Sequence, residues 1–313
     1  MAIKKIIINA LLFLITVVSL YIAILFLLSK IKVGNIPLVY RISDVINWKG
    51  GNTYKKFIDF NPMEKYDIIV LGSSHAYRGY DPRIFKENNI KIFNLGTSGQ
   101  SIFNSYFIAK NYITASNCKL VILDIYDGAL SSDGLESTAD LIQNISSNKA
   151  ATEMALSLKD PRFLNALTLR MLIRQAEPMY FDSSYITSGY SEKKDTIKKI
   201  NLSHYNPNLK INNLQVAYLK KLLAYFTSRD IKVVSVSCPL PKETNKKNHI
   251  QFYNIVNSIN SGFGIQYLDY SSSIHLDTRL DYYDSHHLNQ SGVNKFDKIL
   301  IDDLKEKGYF TWR

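Results

Sequence analysis

The chain has 313 residues, of which 46% are hydrophobic and 21% are charged, and its formal net charge is +11. The length fits one larger α/β domain with an insertion, and the composition excludes a globally disordered protein. The basic excess is typical of a solvated surface, or of attraction to anionic lipid headgroups or an acidic polysaccharide. No recognised DNA- or RNA-binding signature accompanies it, so we expect no nucleic-acid partner.

The first 32 residues predict a membrane anchor. Lys5 and Lys30 bracket 24 residues that carry no charge. At about 1.5 Å per residue this run crosses a bilayer core of about 30 Å. A cleaved signal peptide is the alternative, but its apolar region has only about 7–15 residues and precedes a small-x-small cleavage site. The longer run predicts an uncleaved single-pass helix at residues 1–32 in the cytoplasmic membrane.

Charged residues leave the orientation of this span open. Two lysines precede the apolar run, and basic residues also follow it: Lys30, Lys32, Arg41 and Lys49. The positive-inside count therefore does not favour export of the rest of the chain, although large domains cross a membrane regardless of charge.

Five short apolar runs predict β-strands after a turn-rich segment, 33–65, which we interpret as a connector. Runs without alternation are typical of strands that are buried on both faces of a sheet. They lie at 67–71, 90–95, 120–125, 231–236 and 265–268.

Apolar residues at helical spacing lie between these runs, at 82–88, 102–113, 211–225 and 293–304. Strands that alternate with helices predict a three-layer α/β/α sandwich with a parallel five-stranded sheet, here over residues 66–313. The stretch 128–205 exceeds an ordinary crossover and predicts an insertion with short helices at 151–158 and 161–174. It is either a lid over the site or a structural flap without contact to substrate.

The first strand is followed by Gly72-Ser73-Ser74-His75. Parallel α/β sheets bind ligands beyond the carboxyl ends of their strands, which is where this motif lies. Gly72 permits a tight turn, and a helix that begins near Ser74 aims its backbone amides at whatever the serine attacks. We predict that Ser74 is a nucleophile and that Ser73 is a turn residue that hydrogen-bonds the backbone.

A second motif, Asp284-Ser285-His286-His287-Leu288-Asn289, lies near the C-terminus. A serine hydroxyl is a weak nucleophile until a base takes its proton. His287 is the predicted base, and Asp284, three residues before it, is placed to orient the imidazole. His286 is the rival base, but no aspartate stands at the matching offset.

The order of three segments resembles the SGNH (GDSL-like) hydrolase superfamily. The segments are Gly72-Ser73-Ser74, Asn94-Leu95-Gly96-Thr97-Ser98-Gly99-Gln100-Ser101 and Asp284-x-x-His287-Leu288-Asn289-x-x-Gly292. The resemblance spans about residues 66–309 and implies a flavodoxin-like fold. It also implies a triad of Ser74, His287 and Asp284, and an oxyanion hole that includes the backbone amides of Ser74 and Gly99.

The third segment of that family is different here. The family has Gly-x-Asn-Asp after the third strand, with the asparagine as a further oxyanion donor, whereas this chain reads Leu123-Asp124-Ile125-Tyr126-Asp127. Loss of one oxyanion donor costs about 10²–10³ in turnover. Either another group replaces it, such as Tyr126 or a residue of the insertion, or the enzyme is slow, or the protein is not an enzyme.

An N-terminal anchor followed by such a domain is similar to proteins that add or remove acyl groups on bacterial envelope polysaccharides or teichoic acids. The resemblance implies a domain outside the cytoplasmic membrane, an acylated glycan as substrate and, for transfer, a membrane acyl-donor protein as partner. Two hypotheses follow: a serine esterase or O-acyltransferase for acyl esters, acetyl above all, or a non-catalytic module that binds polysaccharide or a partner. No cofactor-binding motif is present, so we expect no cofactor.

Side chains near the two motifs have alternative interpretations. Tyr126, His75 and Arg78 are candidates for contact with substrate, but Arg78 is also placed to pair with Asp81. A metal site built from His75, His286, His287 and Asp284 is a further alternative, but no recognised metal motif accompanies it, so we expect no metal. An α/β-hydrolase is disfavoured because its Gly-x-Ser-x-Gly elbow has glycine where this chain has Ala76.

Overall fold

The computed structural model describes residues 2–41, 48–175, 177–197, 210–244, 249–274 and 276–310. The first element is an exposed helix, Ala2–Lys30, which is long and apolar enough to cross a membrane. Its last third rests on the domain, because Leu25 is buried and the Tyr21 hydroxyl donates a hydrogen bond to Asn165 Oδ1 at 2.6 Å. Side-chain contacts, as well as the chain itself, therefore join this helix to the domain.

A parallel five-stranded sheet forms the centre of the domain. Its strands in chain order are Tyr66–Leu71, Ile92–Asn94, Cys118–Asp124, Lys232–Ser237 and Tyr267–Asp269. In space the order is second, first, third, fourth and fifth, with every neighbouring pair parallel. This is the flavodoxin-like order, in which the direction of winding reverses at the first strand. All five predicted strands and the predicted sheet are confirmed.

Helices cover both faces of the sheet. Ile68 and Val70 of the first strand face one hydrophobic core, whereas Ile69 and Leu71 face the other, and all four are fully buried. The core around Ile69 and Leu71 includes the helices Gly51–Asp59, Ile102–Tyr112, Leu135–Asn144, Asn148–Leu158, Asn213–Thr227 and His249–Gly262. The core around Ile68 and Val70 includes Ser74–Gly79, Pro82–Glu87 and Gln290–Glu306. The predicted three-layer sandwich is confirmed.

The remaining elements are short. Two antiparallel ribbons pair Lys32–Val33 with Ile36–Pro37 and Tyr185–Thr187 with Tyr190–Ser191. Helix Pro161–Thr168 continues as a π-helix, Leu169–Ile173, and 3₁₀ turns lie at Leu38–Arg41 and Asp127–Leu130.

Two segments differ from the sequence predictions. The expected connector contains helix Gly51–Asp59, and Phe57 and Phe60 at its end are buried in the main core. The expected polar loop after residue 128 contains helix Leu135–Asn144, which packs against the same core. The last part of the expected insertion, 198–205, lies outside the described residues.

Candidate active site

Ser74 lies on a tight turn at the carboxyl end of the first strand. Gly72 has a φ of 149°, and a Cβ there would lie 2.8 Å from the Cβ and the carbonyl oxygen of Asp124, so only glycine fits. Ser73 caps the helix Ser74–Gly79, and its Oγ accepts a hydrogen bond from the His75 amide at 3.4 Å. Ser73 is thus a turn residue, as predicted, and Ser74 is the first residue of the helix.

Three predicted site residues meet in one hydrogen-bonded line. Ser74 Oγ lies 2.6 Å from His287 Nε2, although the two residues are 213 positions apart in the chain. His287 Nδ1 lies 2.8 Å from Asp284 Oδ2. The other oxygen of Asp284 accepts hydrogen bonds from the backbone amides of His286 at 3.0 Å and His287 at 2.9 Å. These distances are within reach for a nucleophile, a base and a base-orienting carboxylate.

Charge and packing hold His287 in this line. Burial raises the pKa of Asp284, but the hydrogen bond and charge of His287 and the His286 amide outweigh it, so the pKa lies well below its usual range. Asp284 is therefore ionised at neutral pH. The Tyr283 ring stacks on the His287 ring with 5.3 Å between centroids and 8° between planes. A charged acceptor on one side and a ring on one face restrict how the imidazole can turn.

The last helix fixes the loop that carries this histidine. Asn289 is its N-cap, and Asn289 Oδ1 accepts a hydrogen bond from the Gly292 amide at 3.1 Å. A Cβ at Gly292 would lie 2.2 Å from the carbonyl oxygen of Asp281, so this position requires glycine. The Asn-x-x-Gly part of the motif thus serves the structure of the loop.

The loop that contains Gly99 packs directly on the nucleophile turn. The Thr97 amide donates a hydrogen bond to the Gly72 carbonyl at 3.1 Å, and a Cβ at Gly96 would lie 2.7 Å from Ala76 Cβ. Gly99 itself has a φ of 56°, and a Cβ there would lie 3.5 Å from the carboxylate of Glu136. The loops of the first and second segments are therefore adjacent, while the oxyanion role of the Ser74 and Gly99 amides stays a prediction.

The third segment, which lacks the asparagine of the family, begins with Asp124, and the side chain of Asp124 is buried in the core. Asp124 Oδ2 accepts a hydrogen bond from the Tyr80 hydroxyl at 2.8 Å and lies 3.1 Å from Cys238 Sγ. Burial raises its pKa to about 6. Tyr126, two residues later, stacks on the His75 ring at 4.8 Å between centroids. Tyr126 thus packs against the residue that follows Ser74, and whether it replaces the asparagine stays a prediction.

The other predicted contact residues surround the triad. The Arg78 guanidinium lies 5.0 Å from the ring centroid of Tyr77 and 5.4 Å from that of Tyr283. The predicted pairing of Arg78 with Asp81 is wrong, because Asp81 binds Arg83 at 2.6 Å. Asp81 binds Arg83 because Nε and Nη2 of this arginine both donate hydrogen bonds to the carboxylate.

His286, the rival base, lies beside the line and not in it. Its Nδ1 lies 3.0 Å from Ser285 Oγ, whereas it is His287 whose Nε2 meets Ser74. Burial and the charge of His287 lower the pKa of His286 to about 4.

A cavity of about 300 Å³ adjoins the Gly99 loop and the helix of Ser74. Its wall combines aromatic rings, three carboxylates and one lysine, and includes Trp48, Asn52, Lys56, Tyr77, Ser98, Glu136, Asp140, Tyr180 and Asp182. Lys56 is buried, and its ammonium donates a hydrogen bond to the Gly96 carbonyl. Burial lowers the pKa of Lys56 to about 7 and raises that of Asp140. The sequence did not predict this cavity because most of its wall comes from the expected connector and the expected insertion.

The chain has no match among family models or among curated proteins. Solved structures do match. One is a lipase/acylhydrolase from Enterococcus faecalis, at 10% identity and a TM-score of 0.41, covering 77% of this chain and 96% of that one. Another is an acetyl xylan esterase, at 11% identity and a TM-score of 0.43, covering 76% and 99%.

A third is a GDSL-like lipase from Bacteroides thetaiotaomicron VPI-5482, at 11% identity and a TM-score of 0.40, covering 82% of this chain and 98% of that one.

Proposed function

We propose that this protein is an SGNH-type serine esterase or O-acyltransferase that acts on acyl esters, acetyl above all, of a cell-envelope glycan. One observation carries the proposal: the line from Ser74 Oγ to His287 Nε2 at 2.6 Å and from His287 Nδ1 to Asp284 Oδ2 at 2.8 Å. Each atom has the partner that nucleophilic acyl transfer requires.

The first half of the reaction forms an acyl-enzyme. Ser74 Oγ attacks the ester carbonyl carbon while His287 Nε2 takes the hydroxyl proton. Asp284 stabilises the imidazolium that results, and the Ser74 and Gly99 amides are proposed to bind the oxyanion. The tetrahedral intermediate then collapses, the bond from carbon to the sugar oxygen breaks, and His287 returns the proton to the leaving alkoxide.

The second half decides between hydrolysis and transfer. His287 takes a proton from water or from another sugar hydroxyl, whose oxygen attacks the acyl carbon. The bond from this carbon to Ser74 Oγ then breaks, and His287 returns the proton to Ser74. Water gives a carboxylic acid and makes the protein an esterase. A sugar hydroxyl gives a new ester, and the acyl group then comes from a donor, for which a membrane acyl-donor protein is the proposed partner.

The cavity beside the Gly99 loop supports a sugar as the group that is bound. Its aromatic rings, including Trp48 and Tyr180 with centroids 6.1 Å apart, offer apolar faces, and its carboxylates offer acceptors for hydroxyl groups. A volume of about 300 Å³ lies at the small end of ligand sites, which suits one sugar unit better than a long acyl chain.

The N-terminal helix supports an envelope location. It carries no charge between Lys5 and Lys30, and it rests on the domain through Leu25 and Tyr21. Anchored this way, the domain stays close to the bilayer, and the family resemblance favours the extracytoplasmic side. Because Leu25 belongs to a core cluster with Val39, Tyr40 and Leu169, experiments should use the full chain in detergent or nanodiscs.

Labelling with a serine-reactive fluorophosphonate tests the proposal. We expect the full chain to be labelled and the Ser74→Ala variant to be silent, because only a serine with an adjacent base attacks phosphorus at a useful rate. Folded wild type without labelling would favour the alternative, a non-catalytic module that binds polysaccharide or a partner, which the missing third-segment asparagine also favours.

A separate experiment tests whether the cavity binds the sugar part of the substrate. Trp48→Ala should raise KM for an O-acetylated hexose about tenfold, which corresponds to about 1.4 kcal/mol of lost binding, and leave hydrolysis of p-nitrophenyl acetate within about twofold. Tyr253→Ala, which removes an exposed ring on helix His249–Gly262, is the control and should change neither substrate. Equal effects of Trp48→Ala on both substrates would contradict a sugar in this cavity.

A further inference from the structure

Three histidines from two distant parts of the chain meet beside Ser74. One ring nitrogen from each of His75, His286 and His287 lies within 4.8 Å of the others. The ring centroids of His286 and His287 are 4.0 Å apart, and the His75 ring lies 4.8 Å from His287 and 5.3 Å from His286. The sequence disfavoured a metal site at these residues because no metal motif spaces them, and the fold now shows that their rings lie together.

His75 is the member that the proposed reaction does not explain. It is 4% exposed, and its Nε2 has no hydrogen-bond partner among the described residues. A buried ring nitrogen without a partner is unfavourable, and a ligand that reaches it removes the penalty.

The surroundings of the other two histidines resemble the outer shell of a metal site. His287 Nδ1 pairs with the Asp284 carboxylate at 2.8 Å, which directs the lone pair to Nε2. His286 Nδ1 lies 3.0 Å from Ser285 Oγ. Metal-bound histidines commonly use their second nitrogen in this way, and the ionised Asp284 adds negative charge beside the cluster.

We propose that His75, His286 and His287 bind one divalent transition-metal ion, Zn²⁺ above all, and that this ion competes with Ser74 for His287 Nε2. Three imidazoles suit zinc, copper or nickel and not magnesium or calcium. The metal occupies the lone pair that would take the Ser74 proton, so the metal-bound protein holds an unactivated serine. Metal binding itself does not depend on the proposed esterase function, whereas the inhibition rests on it.

Binding requires a modest contraction of the cluster. At about 2.0–2.1 Å from zinc, tetrahedral ligand nitrogens lie about 3.3 Å apart, so the most distant pair approaches by about 1.5 Å. His286, whose side chain is 28% exposed, is on a loop at the surface and can supply this movement. The fourth position is left for water.

Metal binding is measured on the tag-free full chain in detergent after treatment with EDTA and dialysis. Titration with Co²⁺ should give the visible absorption bands of a tetrahedral nitrogen site at one ion per chain, and Zn²⁺ should displace them. His286→Phe keeps a ring in place but removes a ligand, and should weaken Co²⁺ binding at least tenfold. Wild type without such bands, or a variant with unchanged affinity, would overturn the site.

Inhibition is measured by fluorophosphonate labelling with and without Zn²⁺. One equivalent of Zn²⁺ should suppress labelling of the wild type at least tenfold, EDTA should restore it, and the ratio should be near one for His286→Phe. Unchanged labelling of a Co²⁺-competent wild type would overturn the inhibition. If the metal-free wild type is not labelled at all, the esterase proposal fails, while the Co²⁺ titration still decides the metal site.

Discussion

His287 and His249 each contact a serine and an aspartate, yet only His287 is placed to act as a base. His287 has Asp284 on Nδ1 at 2.8 Å and Ser74 on Nε2 at 2.6 Å. His249 has Asp127 on Nδ1 at 2.8 Å and Ser271 near Nε2 at 2.9 Å. The decisive difference is a second carboxylate.

Asp269 Oδ2 lies 2.7 Å from Nε2 of His249, the nitrogen that would have to accept a proton from serine. Burial lowers the pKa of His249, but hydrogen bonds to Asp127 and Asp269 outweigh it and raise the pKa to about 9. At neutral pH this imidazole is therefore a cation between two anions and has no free lone pair. Serine, histidine and aspartate within contact distance are thus not sufficient, since the histidine must also be left one unoccupied nitrogen.

The largest difference should appear when each of the two serines is replaced by alanine. Ser74→Ala should lower kcat for p-nitrophenyl acetate by about 10⁴- to 10⁶-fold, whereas Ser271→Ala should leave it within about twofold. Both are measured on the full chain in detergent, with circular dichroism to check the fold. Comparable losses of kcat in both variants would contradict the conclusion that His287, and not His249, is the base.

The next largest difference in kcat should appear when the aspartate beside each histidine is replaced by asparagine. Asp284→Asn should lower kcat by about 10⁴-fold because the amide no longer holds the reactive tautomer of His287 or stabilises its cation. Asp269→Asn should leave kcat within about threefold, because it changes only the structural histidine. Steady-state kinetics on the two variants decide this, and a small effect of Asp284→Asn would exclude Asp284 as the orienting group.

The smallest effect is on stability. The pKa of His249 is about 9 in the folded protein and about 6.5 in an unfolded chain, so protonation favours the folded state. Its contribution is complete below about pH 6.5 and is lost as the pH rises through about 9. The Tm of the wild type should therefore fall by on the order of 5 °C over this interval, and that of Asp269→Asn by less. Thermal unfolding between pH 6 and 9.5 measures it, and parallel curves for the two proteins would contradict the raised pKa.

Local sequence predicted the sheet well because each strand is a continuous apolar run that needs no distant information. Helix Gly51–Asp59 was missed because its polar composition hides Phe57, which is buried only through tertiary packing. Helix Leu135–Asn144 was missed for the same reason, since polar residues outnumber apolar ones in this short segment.

The order of the motifs and the family resemblance that it carries also predicted which residues would meet at the site, whereas each motif alone is a weak signal. It did not predict the His249 network, whose partners Asp127 and Asp269 are 122 and 20 positions away and belong to no motif. Nor did it predict burial of Lys56, since lysine is rarely buried and its acceptor is the Gly96 carbonyl of a distant loop. Interactions between distant segments without a motif require the fold to be known first.

Peptide mapping of the fluorophosphonate adduct tests the central claim most directly. After labelling of the full chain and proteolysis, mass spectrometry should place a single adduct on the peptide that contains Ser74, and none on the peptide that contains Ser271. An adduct on Ser271, or folded protein without any adduct, would contradict the assignment of His287 as the base and Ser74 as the nucleophile.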